Sequence, residues 1–164
     1  MKNILLFTFI FATSLSFAQK CPCAEGAYRD FDFWIGEWNV YDTAGTKVGE
    51  NLIYLQQDSC VIQENWTSKN STGTSYNYFN KTDSTWNQVW IDNQGGSLVL
   101  KGNKIGSALT MKSELVPGQQ IDFYYNQITW TPNSDGSVTQ VWEVFSKDDQ
   151  LLTELFRGVY RRKP

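Results

Sequence analysis

Three stretches of this chain alternate tryptophan with an amide or carboxylate side chain. They are Glu64-x-Trp66, Trp86-x-Gln88-x-Trp90 and Gln140-x-Trp142. In a β-strand, residues two apart face the same side, so each stretch sets an indole ring beside a polar group. Small-molecule sites combine apolar walls with a few polar groups that fix the ligand's orientation. The pattern therefore predicts a ligand cavity rather than a metal or phosphate site.

The residues predicted to line this cavity are Glu64, Trp66, Gln88, Trp90, Gln140, Trp142 and Arg157. Two alternatives stay open. The polar groups could hydrogen-bond to one another or to ordered water inside a filled interior, since buried polar atoms need partners with or without a ligand. Some of these faces could also point to solvent. Glu64 and Arg157 could pair directly, because an unpaired buried charge is costly.

Glu64 is the one weak candidate for catalysis. If it lay unpaired beside Trp66, burial would raise its pKa and suit it to general acid or base work. The chain has no histidine, which removes Ser-His-Asp and Cys-His catalysis together with His-ligated zinc and haem. The three mature cysteines alone leave a zinc ligand set incomplete. No cofactor and no metal site are predicted.

The elements that must position these residues are short strands. From Glu37 to Arg161, about ten alternating segments rich in Val, Ile, Thr and aromatics are separated by Gly, Asn, Asp or Pro. The fold predicted is all-β, a single antiparallel up-and-down barrel of about ten strands, because closure removes costly sheet edges. A β-sandwich is the alternative. The 164 residues leave no room for a second domain.

The N-terminus predicts export. Residues 1–18 combine Lys2, an apolar stretch and small residues before a cleavage site after Ala18, as in a secretory signal peptide. The apolar stretch is too short to span a bilayer. Residues 19–36 are predicted to cap the barrel domain of residues 37–164, and the mature protein to be periplasmic or extracellular. A net charge of −3 gives no basic surface for nucleic acid.

The cysteines fit an oxidising compartment. Cys60 is expected to form a disulfide with either Cys21 or Cys23, which leaves one thiol over.

Gly36-x-Trp38 opens the first strand, and an arginine, Arg157 or Arg161, lies on the last. This pattern resembles that of lipocalins and the wider calycins, in which the Trp closes the barrel base against the Arg. A guanidinium can indeed stack on an indole face.

The mature chain is also similar to a family of secreted bacterial lipocalin-like proteins whose activity is not assigned. The motifs that carry the resemblance span residues 28–161: Asp32-Phe33-Trp34-Ile35-Gly36-Glu37-Trp38, Glu64-x-Trp66, Trp86-x-Gln88-x-Trp90-x-Asp92 and Val138-x-Gln140-x-Trp142-Glu143. The resemblance implies a barrel and leaves the function open. Related haem barrels of the nitrobindin type use a His ligand, which this chain lacks.

Three functions follow from the sequence. The first is an exported carrier or sensor that holds a small hydrophobic or amphipathic ligand inside the barrel. The second is a hydrolase- or isomerase-type enzyme that uses Glu64. The third is a carbohydrate-binding or surface-interaction module, which a row of exposed tryptophans would favour.

Overall fold

A computed structural model describes residues 21–164; the predicted signal peptide lies outside the described residues. The first elements within these described residues are two short 3₁₀ helices, Gly26–Arg29 and Asp32–Trp34. Eleven strands follow: β1 Gly36–Tyr41, β2 Lys47–Gln56, β3 Val61–Ser68, β4 Thr72–Asn80, β5 Thr85–Asp92, β6 Ser97–Ile105, β7 Ala108–Lys112, β8 Val116–Pro117, β9 Phe123–Pro132, β10 Val138–Ser146 and β11 Leu151–Arg162. No helix within residues 21–164 is long and apolar enough to cross a membrane.

Ten of these strands close into one antiparallel barrel, which confirms the predicted fold class. Sequence neighbours pair in order from β1 to β7, β9 follows β7, and β10 joins β9 to β11. Pairing of β1 with β11 shuts the ring, with Trp38 opposite Arg162 and Tyr41 opposite Val159. The two-residue β8 pairs only with the start of β9. Closure leaves no continuous exposed edge around the ring.

Several hairpin turns use the same local chemistry. Asp42 accepts hydrogen bonds from the backbone N–H groups of Ala44 and Thr46, and Gly45 takes a positive φ of 79°. Asp92 repeats this arrangement in the β5–β6 turn, where Gly95 has a φ of 85°. Short acidic or amide side chains bond their own turn, and glycine adopts positive φ without steric strain. These turns fix the strand register.

Aromatic residues that precede β1 fill one end of the barrel. Phe31 and Trp34 are completely buried and stack with their ring centroids 4.7 Å apart. Phe31 also meets the rings of Trp86 and Trp130 edge-on, at 5.6 and 5.1 Å. Trp86 begins β5 and Trp130 lies near the end of β9, which share one end of the barrel because successive strands alternate in direction. We call this end the closed end.

The cation that covers Trp38 is Arg162, so the predicted choice of Arg157 or Arg161 is wrong. The Arg162 guanidinium lies 4.5 Å from the centre of the Trp38 ring. Arg161 faces the other side of the strand and covers Tyr41 instead. The register opposes Trp38 to Arg162 directly, and Arg157 lies too far back along β11 to reach that end.

A disulfide joins Cys23 to Cys60, which resolves the predicted choice in favour of Cys23. Cys21 is a free thiol and contacts the backbone oxygen of Asp58. Because Cys60 immediately precedes β3, the bond fastens the segment before the first 3₁₀ helix to the closed end.

The disulfide should stabilise the fold substantially. It spans 37 residues, a loop for which the chain-entropy model gives about 4 kcal/mol. We expect Cys60→Ser to lower the free energy of unfolding, measured by urea denaturation, by about 2–4 kcal/mol. The matched variant Cys21→Ser should leave it nearly unchanged. Equal losses in the two variants would contradict this assignment.

Candidate functional site

A cavity of about 550 Å³ lies inside the barrel. It extends from the aromatic plug, which we define as Phe31 and Trp34 at the closed end, toward the opposite, open end. Its mouth is formed by the β3–β4 turn, including Asn70 and Ser71, and by the end of β5 at Asp92. Its full lining comprises Val48, Glu64, Trp66, Ser68, Asn70, Ser71, Gln88, Trp90, Asp92, Leu98, Ile128, Gln140, Trp142, Leu155, Phe156 and Tyr160. The lining therefore combines aromatic side chains with polar ones.

Six of the seven residues predicted to line the interior do so. The structure brings together Glu64, Trp66, Gln88, Trp90, Gln140 and Trp142. Arg157 is the exception and faces outward, where its guanidinium bonds the carboxylate of Glu154 in an exposed ion pair. The predicted pairing of Glu64 with Arg157 is therefore wrong.

A β-bulge interrupts the pairing of β11 with β10 just before Phe156. Trp142 lies opposite Phe156, whereas the next residue of β10, Glu143, lies opposite Glu154. Leu155 is the extra residue. A bulge places one additional residue on its strand and shifts the faces of those around it. From Phe156 onward the alternation is regular: Phe156 lies opposite the inward-facing Trp142, so Phe156 and Tyr160 face inward and Arg157 faces outward. The bulge adds Leu155 to the lining of the cavity.

The cavity walls between the inner end and the mouth are formed by indole rings, two of which lie across neighbouring strands. A Cβ atom on Gly73 would come within 2.2 Å of the Trp90 ring, and one on Gly49 within 2.4 Å of the Trp66 ring. These two glycines therefore leave the space that the Trp90 and Trp66 rings occupy, and a side chain at either position would displace the ring. The third indole, Trp142, donates its ring N–H to the side-chain oxygen of Asn126 at 2.9 Å.

Glu64 lies at the inner end of the cavity, which we call the floor, and its side chain is almost wholly buried. One carboxyl oxygen accepts a hydrogen bond from the Asn51 amide at 2.7 Å. The other accepts from the Ser75 hydroxyl at 2.6 Å. Both partners are neutral and are themselves buried. Within residues 21–164, Glu64 thus has hydrogen-bond partners but no cation.

The floor continues as a network of amides on β4 and β5. Asn77 donates to the Ser75 hydroxyl at 2.8 Å and to the Ile62 carbonyl at 3.1 Å. Gln88 donates to the Asn77 side-chain oxygen at 2.8 Å. Buried amides bonded in this way hold one another's orientation. The network fixes the Ser75 hydroxyl against Glu64.

Tyr160 and Gln140 form the opposite part of the floor. The Tyr160 hydroxyl donates to the Gln140 side-chain oxygen. Burial raises the pKa of Tyr160 well above its ordinary value, and the nearby charge of Glu64 raises it further. Tyr160 therefore stays neutral and serves as a hydrogen-bonding group.

Burial raises the pKa of Glu64 to about 7, although the hydrogen bonds from Ser75 and Asn51 oppose this shift. A carboxyl group in a water-poor site loses hydration when it ionises, and only a nearby cation or strong donors restore that energy. Near neutral pH this group can therefore give or take a proton. Within residues 21–164, no cluster of three His, Cys, Asp or Glu residues could hold a metal ion.

The sequence reasoning missed Ser75, Asn77 and Asn51, the polar residues beneath the cavity. On β4 the tyrosines Tyr76 and Tyr78 face outward and are exposed, while the small polar residues face inward. The usual assumption that the more apolar face of a strand points into the barrel is therefore wrong for β4. The useful signal was the strict alternation of Ser75 and Asn77 opposite the carboxylate strand β3.

The fold and the cavity together define a closed antiparallel barrel with a ligand-sized interior. No family model matches this chain, and no curated protein shows a significant similarity to it. Membership of the secreted lipocalin-like family therefore stays a prediction carried by the motifs.

The buried Glu64 should make folding stability depend on pH. Between the ordinary pKa of 4.5 and the folded value of about 7, the folded chain retains a proton that the unfolded chain releases. Its contribution is therefore fully present below pH 4.5 and is lost as the pH rises through 7, by roughly 3 kcal/mol.

Urea unfolding between pH 4 and 8 checks this. The difference in unfolding free energy between the wild type and Glu64→Gln should fall across that window. The control Glu50→Gln removes an exposed carboxylate whose pKa is lowered to about 2 by hydrogen bonds from Lys163 and Lys47. Its own pH dependence should lie below pH 4.5. A flat difference for Glu64→Gln would show that Glu64 ionises normally.

Proposed function

We propose that this protein binds a small amphipathic molecule inside its barrel and acts as an exported carrier or sensor. The observation that carries the proposal is the cavity itself, whose indole walls rise above a hydrogen-bonded polar floor. A volume of about 550 Å³ lies within the range of small-molecule sites. Apolar walls favour the body of such a ligand, and the floor orients its head group.

The arrangement of the two ends supports entry from one side. Phe31 and Trp34 fill the closed end, whereas Asn70, Ser71 and Asp92 border the open end. A ligand that enters through this mouth would bury its apolar body between Trp66, Trp90 and Trp142 before its head reaches Glu64. Displacement of water from these rings provides the main driving force.

Export is part of the same proposal. The Cys23–Cys60 disulfide is of a kind that forms and persists in oxidising compartments. It supports a periplasmic or extracellular location and agrees with the predicted signal peptide.

A second candidate function is acid–base catalysis by Glu64. It is favoured by one observation: a carboxyl group with a pKa near 7 lines a cavity that a small molecule can enter. General acids and bases work best when their pKa lies near the working pH. The carbohydrate-binding alternative finds no comparable support, because every tryptophan in residues 21–164 is buried or half-buried, and the half-buried Trp66, Trp90 and Trp142 line the cavity.

A blocking substitution tests ligand binding. Leu98 faces the cavity from β6, and its neighbour Val99 faces solvent with 61% of its surface exposed. We expect the wild type and Val99→Trp to bind the fluorescent probe 1-aminoanthracene with similar affinity. Leu98→Trp should weaken binding about tenfold or more, since the added ring occupies the ligand's volume.

Fluorescence titration of the three proteins decides the outcome, with circular dichroism to confirm that each is folded. Binding that survives in Leu98→Trp and is lost in Val99→Trp would place the probe on the outer surface. No binding to the wild type would count directly against the proposed function.

A further inference from the structure

We propose that the floor of the cavity recognises a cationic amine, so that the ligand is an amphipathic amine rather than a fatty acid or another carboxylate. This inference rests on the proposed function and adds the chemical class of the ligand's head group. It is carried by the charge balance of the cavity and by the unfilled acceptors at its floor.

The charged residues that line the cavity are all acidic. They are Glu64 at the floor and Asp92 at the mouth; among the described residues of the lining there is no lysine or arginine. Asp92 is committed to its own turn through the backbone N–H groups of Gln94 and Gly96. A carboxylate ligand would bring a second negative charge toward Glu64 in a water-poor site and meet no cation there.

The floor has more acceptors than the protein's own donors satisfy. A carboxylate offers about four lone-pair sites, and among residues 21–164 only Asn51 and Ser75 donate side-chain hydrogen bonds to Glu64. The Asn51 side-chain oxygen is buried and has no hydrogen-bond partner in the described part of the chain. An ammonium group has three N–H donors and no acceptor. It therefore matches a carboxylate whose lone-pair sites are not all filled and which has the Asn51 side-chain oxygen beside it.

The walls are equally suited to a cation. Trp66, Trp90 and Trp142 present indole rings along the path from the mouth to Glu64. Indole is the aromatic ring that attracts a cation most strongly, and the attraction grows when the cation is desolvated. The same rings accept the apolar body of the ligand. No comparable feature of the walls favours an anion.

Among the described residues, no cation competes for Glu64. The groups that face it are the neutral Asn51 on β2, Ser75 on β4 and Gln88 on β5, together with Tyr160 on β11, whose raised pKa keeps it neutral. Burial holds the pKa of Glu64 at about 7 in the free protein. Binding of an ammonium group should lower that pKa and release a proton below pH 7.

Three compounds with one aromatic body and different head groups test the proposal. They are 2-naphthylmethylamine, 2-naphthylmethanol and 2-naphthoate, each titrated into the wild type by isothermal calorimetry at pH 7.5. We expect the amine to bind most tightly, about tenfold more tightly than the alcohol, and the carboxylate to bind most weakly. Carboxylate binding equal to or tighter than amine binding would overturn the proposal.

Two variants assign the effect to Glu64. Glu64→Gln should weaken amine binding about tenfold and change alcohol binding by less than about twofold. Glu50→Gln, which removes one negative charge from the outer surface, should change neither. Amine affinity that is unaffected in folded Glu64→Gln would contradict the assignment.

The pH dependence provides a check that needs no variant. Between pH 8 and pH 6 the wild type should lose about tenfold in amine affinity, because Glu64 must first give up its proton, while alcohol affinity should not fall. Equal pH profiles for the two compounds would overturn the proposal.

The outcomes separate this inference from the proposed function. If the alcohol and 1-aminoanthracene bind and the amine has no advantage, the amine assignment fails and the ligand-binding function stands. If neither the naphthalene compounds nor 1-aminoanthracene bind, both fail.

Discussion

The carboxyl group of Glu64 is held at the floor of the cavity with 5% of the residue exposed, and no cation of the described residues faces it. Burial of an unpaired charge opposes folding, and a protein can accommodate it by neutralising the group or by supplying hydrogen bonds. This chain does both. Asn51 and Ser75 donate to the two carboxyl oxygens, and the raised pKa lets the group take up a proton near neutrality. The remaining amides of the floor support these two donors.

The rest of the fold makes that arrangement possible. Closure of β1 onto β11 and the plug of Phe31 and Trp34 keep bulk water from reaching the floor through the closed end. The disulfide from Cys23 to Cys60 fastens the segment that carries the plug. Because this end is filled with rings, the free volume is confined to the other half of the barrel. The polar floor and the open mouth are therefore parts of one site.

The fold could be predicted from the sequence because strand alternation and turn residues are local signals. Glu64, Gln88 and Gln140 were placed correctly, since each lies between large apolar residues on one face of its strand. The same logic failed for Arg157, because both faces of β11 carry large apolar residues, and only the pairing of Phe156 with Trp142 shows which face is inside.

Other details of the site were decided by packing across the barrel rather than by any local pattern. Asn51 and Ser75 were missed since they are small and polar on strands whose outer faces also carry apolar residues. The choice between Cys21 and Cys23 was open because both lie at similar distance along the chain from Cys60. The partner of Trp38 depended on register, which a single sequence does not contain.

The central claim is that Glu64 is a buried carboxyl group that ionises near neutral pH and binds the cationic head group of a ligand. Carbon-13 NMR of the glutamate side chains, with the Glu64 carboxyl resonance assigned by Glu64→Gln, measures its pKa directly. The account predicts titration near pH 7 in the free protein and a clear fall in that pKa when 2-naphthylmethylamine is added. Titration near the ordinary value of 4.5, unchanged by the amine, would contradict it.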